Sequence, residues 1–290
     1  MGVDGPDDFD LPDFGDSSDH PGESRSPVAV EERDRSEYWE DLRAAVAADA
    51  WGATAERFRG QWAAHCERWP AESRPAADRS GDPPGSWRGD SARFLDAAAN
   101  AEVEKRCEGI AEVERDVVSP RMREIEACDP ERRLVGFEHR LKGLDRIKDK
   151  VAADVLFKSR TPEHALANVK DPVRYTFQYD DASYTQAVRA DINRLGERGF
   201  EQTELRNSWT DSHYRGINSR WREPATGQLF EVQFHTQTSY VAKQLTHAAY
   251  ERLRNPATLD DERDELEALQ ERIAGNIPIP RNATDIPDFP

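Results

Sequence analysis

The sequence predicts an α+β chain: a mixed sheet flanked by helices, preceded by an α-helical hairpin region. Two observations carry this. After Leu134, short stretches alternate apolar and polar residues with a period of two and are separated by helical stretches. Before it, apolar residues recur at spacings of three, four and five, which on a helix line one stripe. At 290 residues the chain has room for one or two domains with real cores.

The expected order is a disordered acidic leader (1–35), a helical region (36–130), the α/β domain (131–255), and a charged helix with a Pro-rich tail (256–290). The leader holds 11 Asp or Glu against three Arg, so it supplies 8 of the 17 net negative charges, with too little apolar surface to offset ordering entropy. Ser36 caps a first helix whose Trp39, Leu42, Val46, Ala53, Phe58, Trp62, Cys66 and Trp69 form the stripe, and Pro70 ends it. Residues 71–90, rich in Pro and Gly, form a loop. A second helix carries Phe94, Val103, Cys107, Ile110, Val113 and Val117, with a break or kink at Ser119-Pro120 before Met122 and Ile125. In the α/β part, Val173, Tyr175 and Phe177 alternate with Arg174, Thr176 and Gln178, and Phe230, Val232 and Phe234 with Glu231, Gln233 and His235. Each strand thus has an apolar face that packs and a polar face left free. Ala182 to Arg198 reads as a helix, Phe200 to Leu205 and Gly216 to Trp221 as strands, Thr238 to Leu253 and Asp260 to Ile273 as helices, and the remaining tail as unstructured.

With 57 acidic and 40 basic residues, the chain does not hold nucleic acid over its whole surface, so any polyanion site is local. No apolar run approaches the roughly 20 residues that span a bilayer, and the start is acidic where a secretory leader is basic and then apolar. The expectation is a cytoplasmic protein without membrane contact, with export by a leaderless specialised route as the alternative. Cys66, Cys107 and Cys128 have neither disulfide nor zinc spacing and read as small core residues.

Four features carry chemistry. Arg140, Lys142, Arg146, Lys148 and Lys150 crowd cations into less than three helical turns, and residues 138–174 hold nine Lys or Arg against six Asp or Glu in an otherwise acidic chain. Such crowding is costly without an anion nearby, although Asp145 and Asp149 also make a solvated helix face a fair reading. Glu231 and Gln233 share the polar face of one strand, where a carboxylate can hold Mg²⁺ or take a proton from an attacking hydroxyl; a solvated edge strand is the bland alternative. Asp171 offers another hard oxygen ligand just before the strand that carries Arg174, or is simply a turn before proline. Tyr214 sits in a Gly-containing loop, Tyr214-Arg215-Gly216-Ile217-Asn218, where it can stack a base or fill a core.

In this order, Arg140/Lys142/Arg146/Lys150, Asp171 with Arg174, Tyr214 with Asn218, Glu231/Gln233/Thr236, and His247 with Tyr250 resemble the synthetase domain of the RelA/SpoT family over about 120 residues. The resemblance implies a nucleotidyltransferase-like fold and an enzyme that moves the β,γ-pyrophosphate of ATP to the 3′-hydroxyl of a guanosine or adenosine nucleotide, making (p)ppGpp-type alarmones with Mg²⁺. It implies that Arg140 and Arg174 flank the adenine, Lys142 and Lys150 hold phosphates, Asp171 and Glu231 hold Mg²⁺, and Glu231 is the general base. Tyr214 would stack on the acceptor base, with Gln233 and Asn218 at the ribose. Arg146 stands where the family has Ser, Asn218 replaces a common His, His235 a common Arg, and Asp171 precedes Arg174 by three positions rather than five. These departures leave the acceptor open. No His-Asp dipeptide occurs and about 36 residues follow Arg254, so the expectation is a synthetase-only or toxin-like member, lacking the family's hydrolase and regulatory domains. Two alternatives stand beside it: an enzyme that pyrophosphorylates the 3′ end of tRNA, and a catalytically silent nucleotide sensor whose helical region docks a protein partner.

Overall fold

The computed structural model describes residues 52–70, 81–89, 92–255 and 258–290. The acidic leader and the expected helix start at Ser36, with Trp39, Leu42 and Val46, lie outside these residues. Helix α1 (Gly52–Arg68) buries Ala55, Phe58 and His65, which share one face. Against the expected antiparallel hairpin with the next helix, α1 packs chiefly on two helices near the C-terminus. His65 explains the choice, because its two ring nitrogens lie 3.4 and 3.2 Å from carboxylate oxygens of Glu262 and Glu265, and Trp62 stacks on its ring.

Phe94 lies on a strand rather than in the second helix: β1 (Trp87–Arg88), in the expected loop, and β2 (Phe94–Leu95), in the expected start of that helix, pair antiparallel. Asp96 then caps α2 (Ala97–Val113), its side chain accepting from Ala99 N. The chain does not break at Ser119-Pro120. Glu114–Val118 winds into one π turn, Ser119 keeps helical angles (φ −57°, ψ −45°), and Pro120 enters in the first turn of α3 (Ser119–Ala127). There its missing N–H costs little, and the wide π turn ahead of it accommodates the ring. The cysteines are not core residues, since Cys66 and Cys128 are exposed and Cys107 is half-buried.

The sheet-bearing part follows as β3 (Arg133–Val135), α4 (Leu144–Lys158), α5 (Pro162–Ala167), β4 (Arg174–Tyr179), α6 (Tyr184–Glu197), β5 (Glu201–Asn207), β6 (Ile217–Arg222), β7 (Leu229–Thr236), α7 (Gln237–Arg254) and α8 (Asp260–Ala274). Five strands make one mixed sheet in the order β3-β4-β7-β6-β5, with β4 and β7 parallel at its centre and the other pairs antiparallel. Tyr175, Phe177, Val232, Phe234, Ile217 and Trp221 project from one face into the main core, which Val188 and Leu195 of α6 and Met122 and Ile125 of α3 complete. Each such side chain removed from water contributes roughly 1.5–3 kcal/mol. A second cluster joins Trp87, Leu95 and Val103 to Ile147 and Val151 of α4 and Leu166 of α5. The N-terminal helices therefore share both cores with the sheet domain.

The tail departs from expectation most. Ile277, Ala283 and Ile286 are buried in the main core, and Phe289 exchanges backbone hydrogen bonds of 2.8 and 2.9 Å with Leu205 of β5. Asn207 fixes it further, donating to the carbonyls of Ala283 at 2.9 Å and Ile286 at 2.8 Å. Prolines interrupt helix and ladder, but the isoleucines between them supply the apolar contacts that a disordered tail lacks. Among the described residues no helix is long and apolar enough to cross a membrane. Ile286→Ala should lower unfolding stability by about 2–4 kcal/mol in urea titration, as expected for a truncated core residue; a change within about 0.5 kcal/mol is what a loose tail would give.

Candidate functional site

The register of the sheet assembles the site. In the parallel β4–β7 pair, Arg174 lies opposite Glu231 and Thr176 opposite Gln233; in β6, Asn218 lies opposite Gln233 and Arg220 opposite Glu231. Partners opposite one another share a face. This polar face is not open to solvent as the alternation implied. Glu231, Gln233, His235 and Asn218 are all buried, because α7 begins immediately after β7 and folds back over it. Thr236 and Ser239 form the capping box that makes this reversal.

Asp171 is the hub. Its Oδ2 accepts from Lys142 Nζ at 2.7 Å and Arg174 Nη2 at 2.9 Å, while Oδ1 accepts from Lys150 Nζ at 3.1 Å. Three cations come from three places: Lys142 precedes α4, Lys150 lies within it, and Arg174 starts β4. Backbone pairing fixes the first relative to the last, since Lys142 N donates to Pro172 O and Arg174 N to Arg140 O. Arg174 then bridges to the second carboxylate, its Nε lying 2.7 Å from Glu231 Oε2. Glu231 Oε1 accepts from Gln233 Nε2 at 2.7 Å, and Gln233 Oε1 accepts from Lys243 Nζ of α7.

Burial and charge shift these groups in opposite senses. Burial alone raises Asp171, but Lys142, Arg174 and Lys150 outweigh it and hold the carboxyl well below the ordinary range. Burial brings the Lys142 ammonium down to about 8, with Asp171 opposing and Lys150 and Arg174 adding to the fall. Lys243, fully enclosed, is pushed far below its usual value by burial and by Arg174, with Glu231 opposing.

Tyr214 and Asn218 belong to a second, linked set. Tyr214 OH lies 2.8 Å from Asn218 Oδ1 and 2.8 Å from His235 Nε2, and His235 Nδ1 lies 2.8 Å from Ser239 Oγ. Burial and Lys243 keep His235 neutral. One consistent assignment has Nε2–H donating to Tyr214, whose hydroxyl proton goes to Asn218, while Ser239 donates to Nδ1. Gly216 is required here: at φ 153° a Cβ would sit 2.8 Å from His235 Cε1.

The remaining expected residues spread outward. Arg140 turns to the other side of the sheet, its guanidinium 2.6 and 3.2 Å from the carboxylate of buried Glu114 in the π turn, and 4.4 Å over the Phe137 ring. Arg146 is half-exposed, 3.8 Å from Glu251 of α7. His247, one turn beyond Lys243, is brought down to about 3 by burial and by Lys243, Arg146 and Arg174. The other residues of the basic segment serve the fold, Lys148 binding Glu104 at 2.7 Å and Asp145 accepting from the Trp87 indole at 2.7 Å. Sequence reasoning missed Lys243. It lies four positions before His247, so the same helical stripe that carries His247 and Tyr250 points to it.

The chain is similar in structure to small alarmone synthetases. The small alarmone synthetase 1 from Bacillus subtilis is 16% identical, with a TM-score of 0.43 over 60% of this chain and 91% of that one. A structure of that synthetase bound to its product pppGpp gives 15% identity and a TM-score of 0.40 over 62% and 92%. A GTP pyrophosphokinase family protein from Streptococcus pneumoniae gives 17% and 0.39 over 62% and 89%. No family model matches the chain, and no curated protein matches it significantly.

Asp171→Asn leaves three cations without their shared carboxylate, so it should cost about 3–5 kcal/mol, with inorganic pyrophosphate restoring part of the loss. Asp171 is depressed in the folded state, so its stabilisation is present above its unfolded pKa of about 4 and is lost as the pH falls below it. Thermal unfolding against pH should therefore be flatter on the acid side for Asp171→Asn than for the parent protein.

Proposed function

We propose that this chain is a nucleotide pyrophosphokinase that uses ATP as donor and the 3′-hydroxyl of a guanosine or adenosine nucleotide as acceptor, making (p)ppGpp-type products. The observation that carries the reading is the buried chain of contacts from Lys142, Lys150 and Arg174 through Asp171 and Glu231 to Gln233 and Lys243. Lys142, Lys150 and Arg174 gather on the single carboxylate of Asp171, a local excess of positive charge in a partly desolvated place that favours a dense anion. Clustered cations and paired carboxylates suit direct transfer between two bound substrates.

Asp171 and Glu231 are the residues that would hold Mg²⁺. Among the described residues no three Asp, Glu, His or Cys side chains gather into a metal site, yet two carboxylates joined through one arginine fit an ion that takes its remaining ligands from substrate phosphates and water. Bound Mg²⁺ neutralises charge developing on the phosphates. Lys142 and Lys150 exchange Asp171 for phosphate oxygens as ATP enters, and Arg174 releases Glu231. The freed Glu231 accepts the 3′-hydroxyl proton as the 3′-oxygen bonds to the β-phosphorus, the bond from that phosphorus to the α,β-bridging oxygen breaks, and AMP leaves. Gln233 and Asn218, opposite one another in the sheet, flank the ribose, and Tyr214 borders the acceptor base. A signalling or toxic role, and tRNA modification in place of alarmone synthesis, turn on the acceptor.

Purified protein with ATP, Mg²⁺ and, separately, GDP, GTP, AMP or deacylated tRNA should release AMP and yield a 3′-pyrophosphorylated acceptor, with Glu231→Gln slower by about 10²–10⁴-fold. Silence with every acceptor would leave the sensor reading; product on tRNA alone would replace the nucleotide. Since the Lys142 ammonium persists only below about 8, kcat/KM for ATP should fall above that pH, and Lys142→Arg should move the fall upward.

A further inference from the structure

Gln233 and Lys243 are both buried, and the amide of the first lies between Glu231 and the amine of the second. Gln233 Nε2 donates to Glu231 Oε1 at 2.7 Å, while its Oε1 accepts from Lys243 Nζ, with Thr176 Oγ1 at 3.5 Å. The two ends of a carboxamide are alike in shape and opposite in chemistry, since the oxygen only accepts and the nitrogen only donates. Here the neighbours decide which way it points. Glu231 as a carboxylate can only accept, and Lys243, although burial lowers its pKa, keeps N–H donors whether charged or neutral. Turned by 180°, the amide would set its oxygen against a carboxylate.

The two oxygens of Glu231 therefore have different holders. Oε1 is held by a neutral amide that α7 anchors through Lys243. Oε2 lies 2.7 Å from Arg174 Nε, on a guanidinium that also binds Asp171. Arg220, opposite Glu231 on β6, is engaged by Glu204 of β5. When Arg174 turns to a phosphate, the oxygen it vacates is Oε2, and Oε1 stays with Gln233.

We infer that Lys243 is a positioning residue for the transfer: by holding Gln233 Oε1 it aims Gln233 Nε2 at Glu231 Oε1, fixes that carboxylate in one orientation, and leaves Oε2 as the atom that takes the proton. The 3′ O–H bond of the acceptor breaks, its proton passes to Oε2, and the 3′-oxygen keeps the electron pair with which it bonds to the β-phosphorus. This rests on the pyrophosphokinase reading and deepens it. Without Lys243, Gln233 would bury a carbonyl oxygen short of its donor, a costly state that the amide relieves by turning toward Thr176 or Asn218. Glu231 would then lose the contact that fixes Oε1.

Two readouts on the full-length protein test this. In steady-state kinetics with ATP, Mg²⁺ and the acceptor it uses, Lys243→Met should lower kcat about tenfold, the worth of one buried hydrogen bond, and leave KM for ATP within about twofold. In a double-mutant cycle, Lys243→Met should cost nothing further once Gln233→Met is present, because a residue that acts through Gln233 has nothing left to act on. Parental kcat in Lys243→Met, or a loss that persists undiminished beside Gln233→Met, would overturn the inference and leave the kinase standing. The second readout needs no turnover. In ¹⁵N-glutamine-labelled protein, with the Gln233 resonance assigned from Gln233→Met, the carboxamide protons of Gln233 should exchange with solvent at least about tenfold faster in Lys243→Met than in the parent. Equal exchange would overturn the inference whatever the kinetics. Faster exchange in a protein that makes no product with any acceptor would uphold Lys243 as the anchor of Gln233 and reject the kinase. Circular dichroism melts verify each fold, and Lys243→Leu takes the place of Lys243→Met if that variant does not fold.

Discussion

The register between β4 and β7 is the constraint on which the site depends. Because Arg174 stands opposite Glu231 in a parallel pair, one guanidinium reaches both Asp171 and Glu231 and ties the basic α4 segment to the acidic strand. A slip of one residue would turn Arg174 and Glu231 to opposite faces and send one of them into the aromatic core. The apolar face thereby enforces the polar one: Phe177 and Phe234, stacked at 6.3 Å, cannot shift without exposing themselves, so the charged pair cannot shift either. Side chains on central strands are also more rigid supports for such contacts than loops.

The same economy governs α4. Lys142, just before the helix, and Arg146 and Lys150 within it, four residues apart, face the site and α7, while Asp145, Lys148 and Asp149 face the β1–β2 segment and α2, where they meet Trp87, Glu104 and Arg93. What looks like one repulsive run of cations is divided by helical periodicity into a working side and a structural side. Glu114 does the corresponding service for Arg140. Buried in the π turn, it accepts from Arg140, Ser119 and Tyr175, a concentration of donors that a regular helix would have turned elsewhere.

Local patterning made β4 to β7, α6, α7 and α8 legible within a few residues, because alternation and 3.6-residue spacing are properties of short windows, whereas the three-residue β3 offered too short a window to read. Asp171, Lys142, Lys150, Arg174, Glu231 and Gln233 were recoverable as a set through the order of their motifs. The polar face looked solvated because the strand alone does not reveal that α7 covers it. The partner of α1 was hidden for the same reason: His65 seeks Glu262 and Glu265 nearly two hundred positions away, and no window spans that distance. Lys243 was overlooked since a lysine among helical residues ordinarily reads as surface, and only its phase with His247 marks it as inward. The tail was misjudged on its prolines, with Ile277 and Ile286 given too little weight.

That tail has one more effect. Strand β5 ends the sheet at one side, and β3, at the other, is only three residues long. The backbone pairing of Phe289 with Leu205, together with the Asn207 contacts, caps hydrogen-bonding groups that would otherwise template a strand from a neighbouring molecule. A chain clipped near its end would still contain every residue of the site, yet it would present an adhesive flank, and its first symptom would be self-association at high concentration.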